Sequence, residues 1–263
     1  MLLAVDIGNS NLVFGLYAQN KWQYHWRLQT ITEKSGPEYE INLRNYFLEQ
    51  NLSLSEVDSI IISSVVPVLT PIIRDMLWYL FGKEPVVVNP EVIKQLPLGV
   101  VKPHEIGSDL VANAMAGYDL FKENCIVVDF GTALTFTTIS SEGNILGVAI
   151  APGLKTSIYA LYRDTAKLPD IEIPLELPQS AIGKNTEHAL QAGVLLGYVG
   201  LVEHLIGRIR EELGGTCKVV ATGGLSSVIT PLEKHFDQLE PLLTIDGLRL
   251  IHNFLNSSNA QVS

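Results

Sequence analysis

The hydrophobic residues of this chain recur with two periods. Short apolar or alternating runs bounded by glycine, asparagine or charged residues predict strands, whereas apolar positions that return every three or four residues predict helices. Strands are predicted near 2–7, 11–17, 22–28, 58–64, 85–88, 125–130, 134–140, 144–150 and 218–221. Helices are predicted near 37–50, 70–81, 109–121, 154–163, 186–212, 224–235 and 246–255. This alternation predicts an α/β protein built on mixed sheets.

Two of the predicted strands lead into the same short polar motif. In "LLAVDIGNSN" and "CIVVDFGTA", Asp6 aligns with Asp129 and Gly8 aligns with Gly131, and each copy is followed by a second strand. A repeat of this length indicates two related domains, which we place at 1–118 and 119–263. A strand, an aspartate and a glycine also make an ordinary hairpin turn, so the match alone leaves chance open as an alternative.

Composition and charge narrow the class of protein. The 263 residues are 47% hydrophobic and 17% charged, which is typical of a globular chain. The formal net charge of -10 disfavours nucleic acid and anionic membranes as partners. Two cysteines indicate neither a disulfide framework nor a zinc site. The first strand leaves no room for a signal peptide, and "LQAGVLLGYVGLV" is expected to be too short to span a bilayer, so we expect a cytoplasmic protein.

The two polar turns have the composition of phosphate-binding loops. A glycine lets the backbone approach a ligand closely, and Asn9, Ser10 and Asn11 add donors in the first copy. The carboxylates of Asp6 and Asp129 would lie where a cation is needed to offset phosphate charge. A third segment, "VVATGGL", predicts a strand that ends in a Thr-Gly-Gly turn suited to a nucleotide. Each turn could instead serve only the fold.

The order of these motifs carries a resemblance. "DIGNSN", "IGSDLVANAMAG", "VVDFGTALTF", "APGLKTSIYALYRDTAKLP", "IGKNTEHALQAG" and "VVATGGL" together resemble the type III pantothenate kinases of the actin, hexokinase and Hsp70 superfamily. The resemblance implies two duplicated actin-like (ribonuclease H-like) ATPase domains. It implies a cytoplasmic homodimer that uses ATP, Mg2+ and a monovalent cation, K+ or NH4+, to phosphorylate pantothenate to 4'-phosphopantothenate, the first step of coenzyme A biosynthesis.

The resemblance also implies the site residues. Asp109 matches the aspartate that accepts the proton of the pantothenate hydroxyl, and Asp129 matches the residue that holds the monovalent cation. The ATP-binding positions are Asp6, Ile7, Gly8, Asn9, Ser10, Asn11, Leu12, Val13, Gly131, Thr132, Thr222, Gly223 and Gly224. The substrate-binding positions are Gly107, Ser108, Asp109, Leu110 and Thr186.

Two features around Asp109 keep other interpretations open. From the residues alone, Ser108 or Asp109 predicts a helix cap worth about 1 kcal/mol. The family pattern also has an arginine at the position of Leu110 and a tyrosine in a longer preceding loop, so a lysine would have to meet the substrate carboxylate. The candidates are Lys102, Lys155 and Lys184. The alternatives are a catalytically silent nucleotide-binding regulatory homologue and a kinase of another small hydroxylated substrate.

One predicted helix is unusually poor in charge. Gly193, Gly197 and Gly200 lie within the 186–212 pattern, where glycine lowers helix stability unless another backbone comes close. The pattern therefore predicts a buried helix, contacted either by a second subunit or from within the chain.

Overall fold

The computed structural model describes residues 1–174, 176–224 and 230–260. The chain divides into two compact units, one formed by Met1–Ala116 with Leu243–Ser263 and the other by Gly117–Leu242. The first boundary lies two residues before the predicted one. The C-terminal segment, predicted to belong to the domain at 119–263, groups with the first unit instead.

The first unit is built on a mixed sheet of five strands. The strands are β1 (Leu2–Ile7), β2 (Asn11–Ala18), β3 (Lys21–Gln29), β4 (Ser59–Ser64) and β5 (Val86–Val87), and their order in the sheet is β3-β2-β1-β4-β5. β1 pairs antiparallel with β2 and parallel with β4. The helices of this unit are α1 (Gly36–Glu49), α2 (Leu69–Phe81), α3 (Pro90–Ile93) and α8 (Leu243–Ala260). The first turns of a further helix, α4 (Ser108–Phe121), also belong to it.

Both faces of this sheet are covered. Leu3, Val5 and Ile7 point to one face and pack in a buried cluster with residues of α1 and α2. On the other face α8 contacts β1, β2 and β4. A Cβ at Gly247 of α8 would overlap the carbonyl oxygen of Ala112 in α4, so the two helix backbones touch. This close packing explains why the C-terminal helix belongs to the first unit.

The second unit repeats the same strand arrangement. Its strands are β6 (Cys125–Phe130), β7 (Ala133–Ile139), β8 (Ile145–Pro152), β9 (Lys218–Gly223) and β10 (Gln238–Leu239), in the order β10-β9-β6-β7-β8. β6 pairs antiparallel with β7 and parallel with β9, as β1 does with β2 and β4. The duplication predicted from the two polar turns is therefore confirmed at the level of topology.

The helices of the second unit follow the predicted pattern with two differences. They are α5 (Leu154–Asp164), α6 (Thr186–Gln191) and α7 (Gly197–Glu212), and a π-helical turn at Ala192–Leu196 joins α6 to α7. Of the helix predicted at 224–235, residues 225–229 lie outside the described part of the chain. Thr230–His235 form a 3-10 helix instead of an α-helix.

The continuous helix Thr186–Glu212 has the bounds that the sequence predicted. Its 27 residues are apolar enough, by length and composition alone, to cross a membrane, which corrects the expectation that this segment is too short. Core helices of soluble proteins have the same composition. Only 28% of its most apolar stretch is buried within the described chain, so much of its surface is available to a partner.

Candidate active site

The first polar turn joins β1 to β2 and is closed by its own backbone. The N–H of Gly8 donates to the carbonyl of Asn11 at 3.0 Å. Thr30, directly after β3, donates through its N–H to the carbonyl of Ser10 at 3.0 Å and through its hydroxyl to the carbonyl of Gly8 at 2.6 Å. Asn9 and Ser10 remain exposed. Thr30, which holds this turn in place, was not among the residues predicted for the site.

The predicted residues Asp6–Val13 are contiguous around this turn. Asp6 and Ile7 end β1, and Asn11, Leu12 and Val13 begin β2. Leu12 pairs with Ile7, and Val13 pairs with Asp6. The register places Asp6 close in the chain to this turn, in which Asn9 and Ser10 are exposed.

The second polar turn is held by the start of α5. The N–H of Gly131 donates to the carbonyl of Ala133 at 3.1 Å. The carbonyl of Thr132 accepts from the N–H of Gly153 at 3.0 Å and from the hydroxyl of Thr156 at 2.7 Å. A Cβ at Gly153 would overlap the carbonyl oxygens of Gly131 and Thr132, so only glycine fits there. Gly153 and Thr156 were missed as site residues, although the motif "APGLKTS" contains both.

The Thr-Gly-Gly turn lies against Asp129. Thr222 is buried at the end of β9 and pairs in register with Asp129 of β6. Gly223 has a φ of +94°, and a Cβ on it would lie 2.6 Å from Oδ1 of Asp129 and 2.7 Å from the backbone nitrogen of Phe130. The fold therefore brings together Thr222, Gly223 and Asp129. Gly224 follows directly and is exposed.

Asp129 has oxygen-bearing neighbours on both adjacent strands. It pairs with Thr222 of β9 and with Thr135 of β7, and side chains of paired residues share one face of a sheet. The Thr135 hydroxyl is buried and has no hydrogen-bond partner within the described part of the chain. Burial raises the pKa of the Tyr198 phenol, and the negative charge of Asp129 raises that pKa further.

These neighbours suit a hard cation better than a transition metal. Among residues 1–174, 176–224 and 230–260, no group of three or more His, Cys, Asp or Glu side chains could hold a metal ion. A carboxylate with nearby hydroxyls is the donor type that hard cations prefer. The residues around Asp129 therefore fit a cation bound through oxygen.

Asp109 lies in the first turn of α4 and is half-buried. Its Oδ1 accepts the N–H of Leu110 at 2.8 Å. A Cβ at Gly107 would overlap that same oxygen, so a larger residue there would displace the carboxylate. Burial raises the pKa of Asp109, and hydrogen bonds from the backbone N–H groups of Leu110 and Asp109 partly offset the rise. A carboxylate with a raised pKa is suited to accept a proton.

Ser108 is buried and its hydroxyl is engaged by β4. It lies 2.9 Å from the Ser63 hydroxyl, accepts the N–H of Ser64 at 2.9 Å and donates to the Ser64 carbonyl at 3.2 Å. Among the predicted substrate-binding residues, Ser108 therefore directs its side chain into the fold.

The remaining predicted residues lie on exposed segments. Thr186 is exposed at the start of α6, where the side chain of Asn185 accepts the N–H of His188 at 2.9 Å and caps the helix. Lys102 lies 2.9 Å from both carboxylate oxygens of Glu105. Lys155 and Lys184 are exposed.

Solved structures share this duplicated fold. MreB 5 of Spiroplasma citri bound to AMPPNP superposes with a TM-score of 0.57 at 10% identity, over 100% of this chain and 98% of that one. The activator of the 2-hydroxyisocaproyl-CoA dehydratase from Clostridium difficile with bound ADPNP gives 0.56 at 12% identity, over 99% and 96%. The chain thus has the actin-like ATPase fold, with two mixed sheets of five strands each.

Sequence comparison defines the family within that fold. Residues 2–208 match the family described as type III pantothenate kinase. The type III pantothenate kinase of Moorella thermoacetica is 42% identical over 252 residues, covering 96% of this chain and 98% of the relative. That of Roseiflexus sp. is 43% identical over 257 residues, covering 98% and 100%. The chain belongs to the type III pantothenate kinases, which phosphorylate pantothenate in coenzyme A biosynthesis.

Proposed function

We propose that Asp109 is the general base that takes the proton of the pantothenate hydroxyl during transfer of the γ-phosphoryl group of ATP. The observation that carries this role is the half-buried carboxylate, with its raised pKa, at the start of α4. Gly107 leaves room for that carboxylate, and the N–H of Leu110 fixes one of its oxygens. The family supports the reaction, whereas the assignment to Asp109 rests on this geometry and on the motif.

We further propose that the turns hold ATP. The Gly8–Asn11 turn and the Gly131–Thr132 turn would contact the phosphates, and Thr222, Gly223 and Gly224 would receive the nucleoside. Phosphoryl transfer needs positioning and charge neutralisation more than covalent chemistry. Mg2+ would supply that neutralisation when bound, and the Asp6 carboxylate beside the first turn fits it.

The proposed monovalent cation, K+ or NH4+, is assigned to Asp129. The buried Thr135 hydroxyl offers a further oxygen on the same face of the sheet.

On the substrate side we propose that Gly107 to Leu110 and Thr186 contact pantothenate. With Leu110 replacing an arginine, a lysine would meet the carboxylate. Lys102 is already paired with Glu105, which favours Lys155 or Lys184.

We also propose a cytoplasmic homodimer. Gly193, Gly197 and Gly200 lie on the exposed side of the helix Thr186–Glu212. A Cβ on any of them would meet nothing within 4 Å in the described part of the chain, so the chain itself gives no reason for glycine there. Close approach of a second copy would supply one. The acidic charge supports the absence of nucleic acid and membrane partners.

The variant Asp109→Asn tests the role of the base. Asparagine keeps an oxygen for the N–H of Leu110 but cannot take a proton, so we expect kcat to fall by at least about 100-fold while ATP affinity is unchanged. Coupled measurement of ADP release and titration with ATP give the two values. Asp119→Asn is the matched control, since Asp119 is exposed near the end of the same helix. Full activity of Asp109→Asn would remove Asp109 from this role.

A further inference from the structure

A fully buried serine lies beside the first phosphate loop. Ser63, near the end of β4, pairs in parallel register with Asp6 of β1. Paired residues on neighbouring strands share one face of the sheet, about 4.8 Å apart. A buried hydroxyl destabilises the fold unless it is hydrogen-bonded. A serine at this position, directly after the run Ile60–Ile62, therefore needs a partner.

The partner of Ser63 is the residue before Asp109. The Ser63 and Ser108 hydroxyl oxygens are 2.9 Å apart. Ser63 can donate to Ser108, because the Ser108 hydroxyl can direct its own proton to the Ser64 carbonyl at 3.2 Å. Ser108 also accepts the N–H of Ser64 at 2.9 Å. Three contacts thus fix the start of α4 to the end of β4.

We propose that Ser63 is a positioning residue, which holds the base Asp109 at a fixed distance from Asp6 and the first phosphate loop through the hydroxyl of Ser108. The inference rests on the proposed role of Asp109. All four residues belong to the same compact unit, so the arrangement is a property of that unit alone. Its value for catalysis follows from geometry, because a displacement of about 1 Å in a reacting group can lower a rate roughly 100-fold.

The same contacts between β4 and α4 would be expected if they only stabilised the fold. A control variant separates a role in stability from a role in positioning Asp109. Thr70 of α2 belongs to the same hydroxyl network, donating to the Ser64 hydroxyl at 2.7 Å and to the Val66 carbonyl at 3.1 Å. Among the described residues, the hydrogen bonds of the Thr70 hydroxyl reach neither Ser108 nor Asp109. Thr70→Val therefore removes a hydroxyl from this junction without touching the start of α4.

The test compares Ser63→Ala with Thr70→Val in steady-state kinetics. We expect Ser63→Ala to lower kcat about 10-fold with the KM for ATP within about twofold of the original, and Thr70→Val to leave both within about twofold. Ser63→Cys replaces the hydroxyl with a larger thiol that is only a weak donor, so it leaves no cavity and should still lose kcat as Ser63→Ala does. Unchanged kcat in both Ser63 variants would overturn the proposal.

A double-mutant cycle with Asp109→Asn shows whether Ser63 acts through the base. We expect Ser63→Ala to have no further effect on the residual rate in the Asp109→Asn background. An equal loss in both backgrounds would overturn the positioning role. Failure of the proposed function has a different signature, because Asp109→Asn would then retain full activity by itself.

Discussion

At the scale of single residues, Asp109 does not have the geometry of the helix cap that the sequence left open beside the role of a base. Its carboxylate accepts the N–H of the next residue, Leu110, from a position inside α4. A helix cap would precede the helix and accept an N–H two or three residues further on. The Asp109 carboxylate is also partly withdrawn from water, which raises its pKa. Burial of this carboxylate therefore lowers the stability of the fold and gives the basicity that proton transfer requires.

The raised pKa predicts how stability depends on pH. Because the folded state holds the proton of Asp109 more tightly than the unfolded state, the ionised carboxylate lowers the free energy of unfolding near pH 7. Below the ordinary carboxyl range, about pH 4, the group is neutral in both states and the penalty disappears. Asp109→Asn should therefore raise Tm near pH 7, and the gain should shrink toward pH 4.

Thermal unfolding at several pH values measures this difference. Asp119→Asn serves as the reference for loss of an exposed carboxylate on the same helix. A gain in Tm that is independent of pH, or a less stable Asp109→Asn near pH 7, would contradict the account of the buried carboxylate.

At the scale of elements, the site depends on close approach between neighbouring segments. Gly153 lets α5 approach the second loop, and Gly223 lets the end of β9 approach Asp129. The sequence predicted these elements and the Thr-Gly-Gly turn, because their patterns are local. It did not reveal that Thr30 and Thr156 would hold the turns, or that Ser63 would contact the start of α4, because those contacts join segments far apart in the chain.

Substitutions at Gly223 and Gly214 test whether the close approach of Gly223 to Asp129 contributes to stability. Both have positive φ, +94° and +86°, but a Cβ on Gly214 meets nothing within 4 Å in the described part of the chain. Gly214→Ala should cost about 1 kcal/mol from backbone strain alone. Gly223→Ala should cost about 3 kcal/mol or more, because the new Cβ also displaces Asp129 and Phe130.

Urea unfolding of the two variants gives the comparison. We expect Gly223→Ala also to weaken ATP binding, which Gly214→Ala should leave unchanged. Equal loss of stability in the two variants would show that close packing against Asp129 does not constrain this turn.

At the scale of the whole molecule, the duplicated topology was predictable because each phosphate turn follows a buried strand and precedes a hairpin. The assignment of α8 was not, since the apolar pattern that predicts a helix at 246–255 does not say which sheet it covers. That information lies in contacts between residues far apart in the chain, such as the close approach of the Gly247 backbone to the Ala112 backbone. If the proposed homodimer forms, the exposed glycines of Thr186–Glu212 would contact the second copy.

The account depends most directly on pantothenate being the phosphoryl acceptor. The measurement is ADP release by the purified protein with ATP and Mg2+, with and without pantothenate, and with K+ present or replaced by Na+. We expect release that requires pantothenate and is stimulated by K+. ATP binding without pantothenate-dependent release at about millimolar substrate, well above a typical KM, would contradict the central claim.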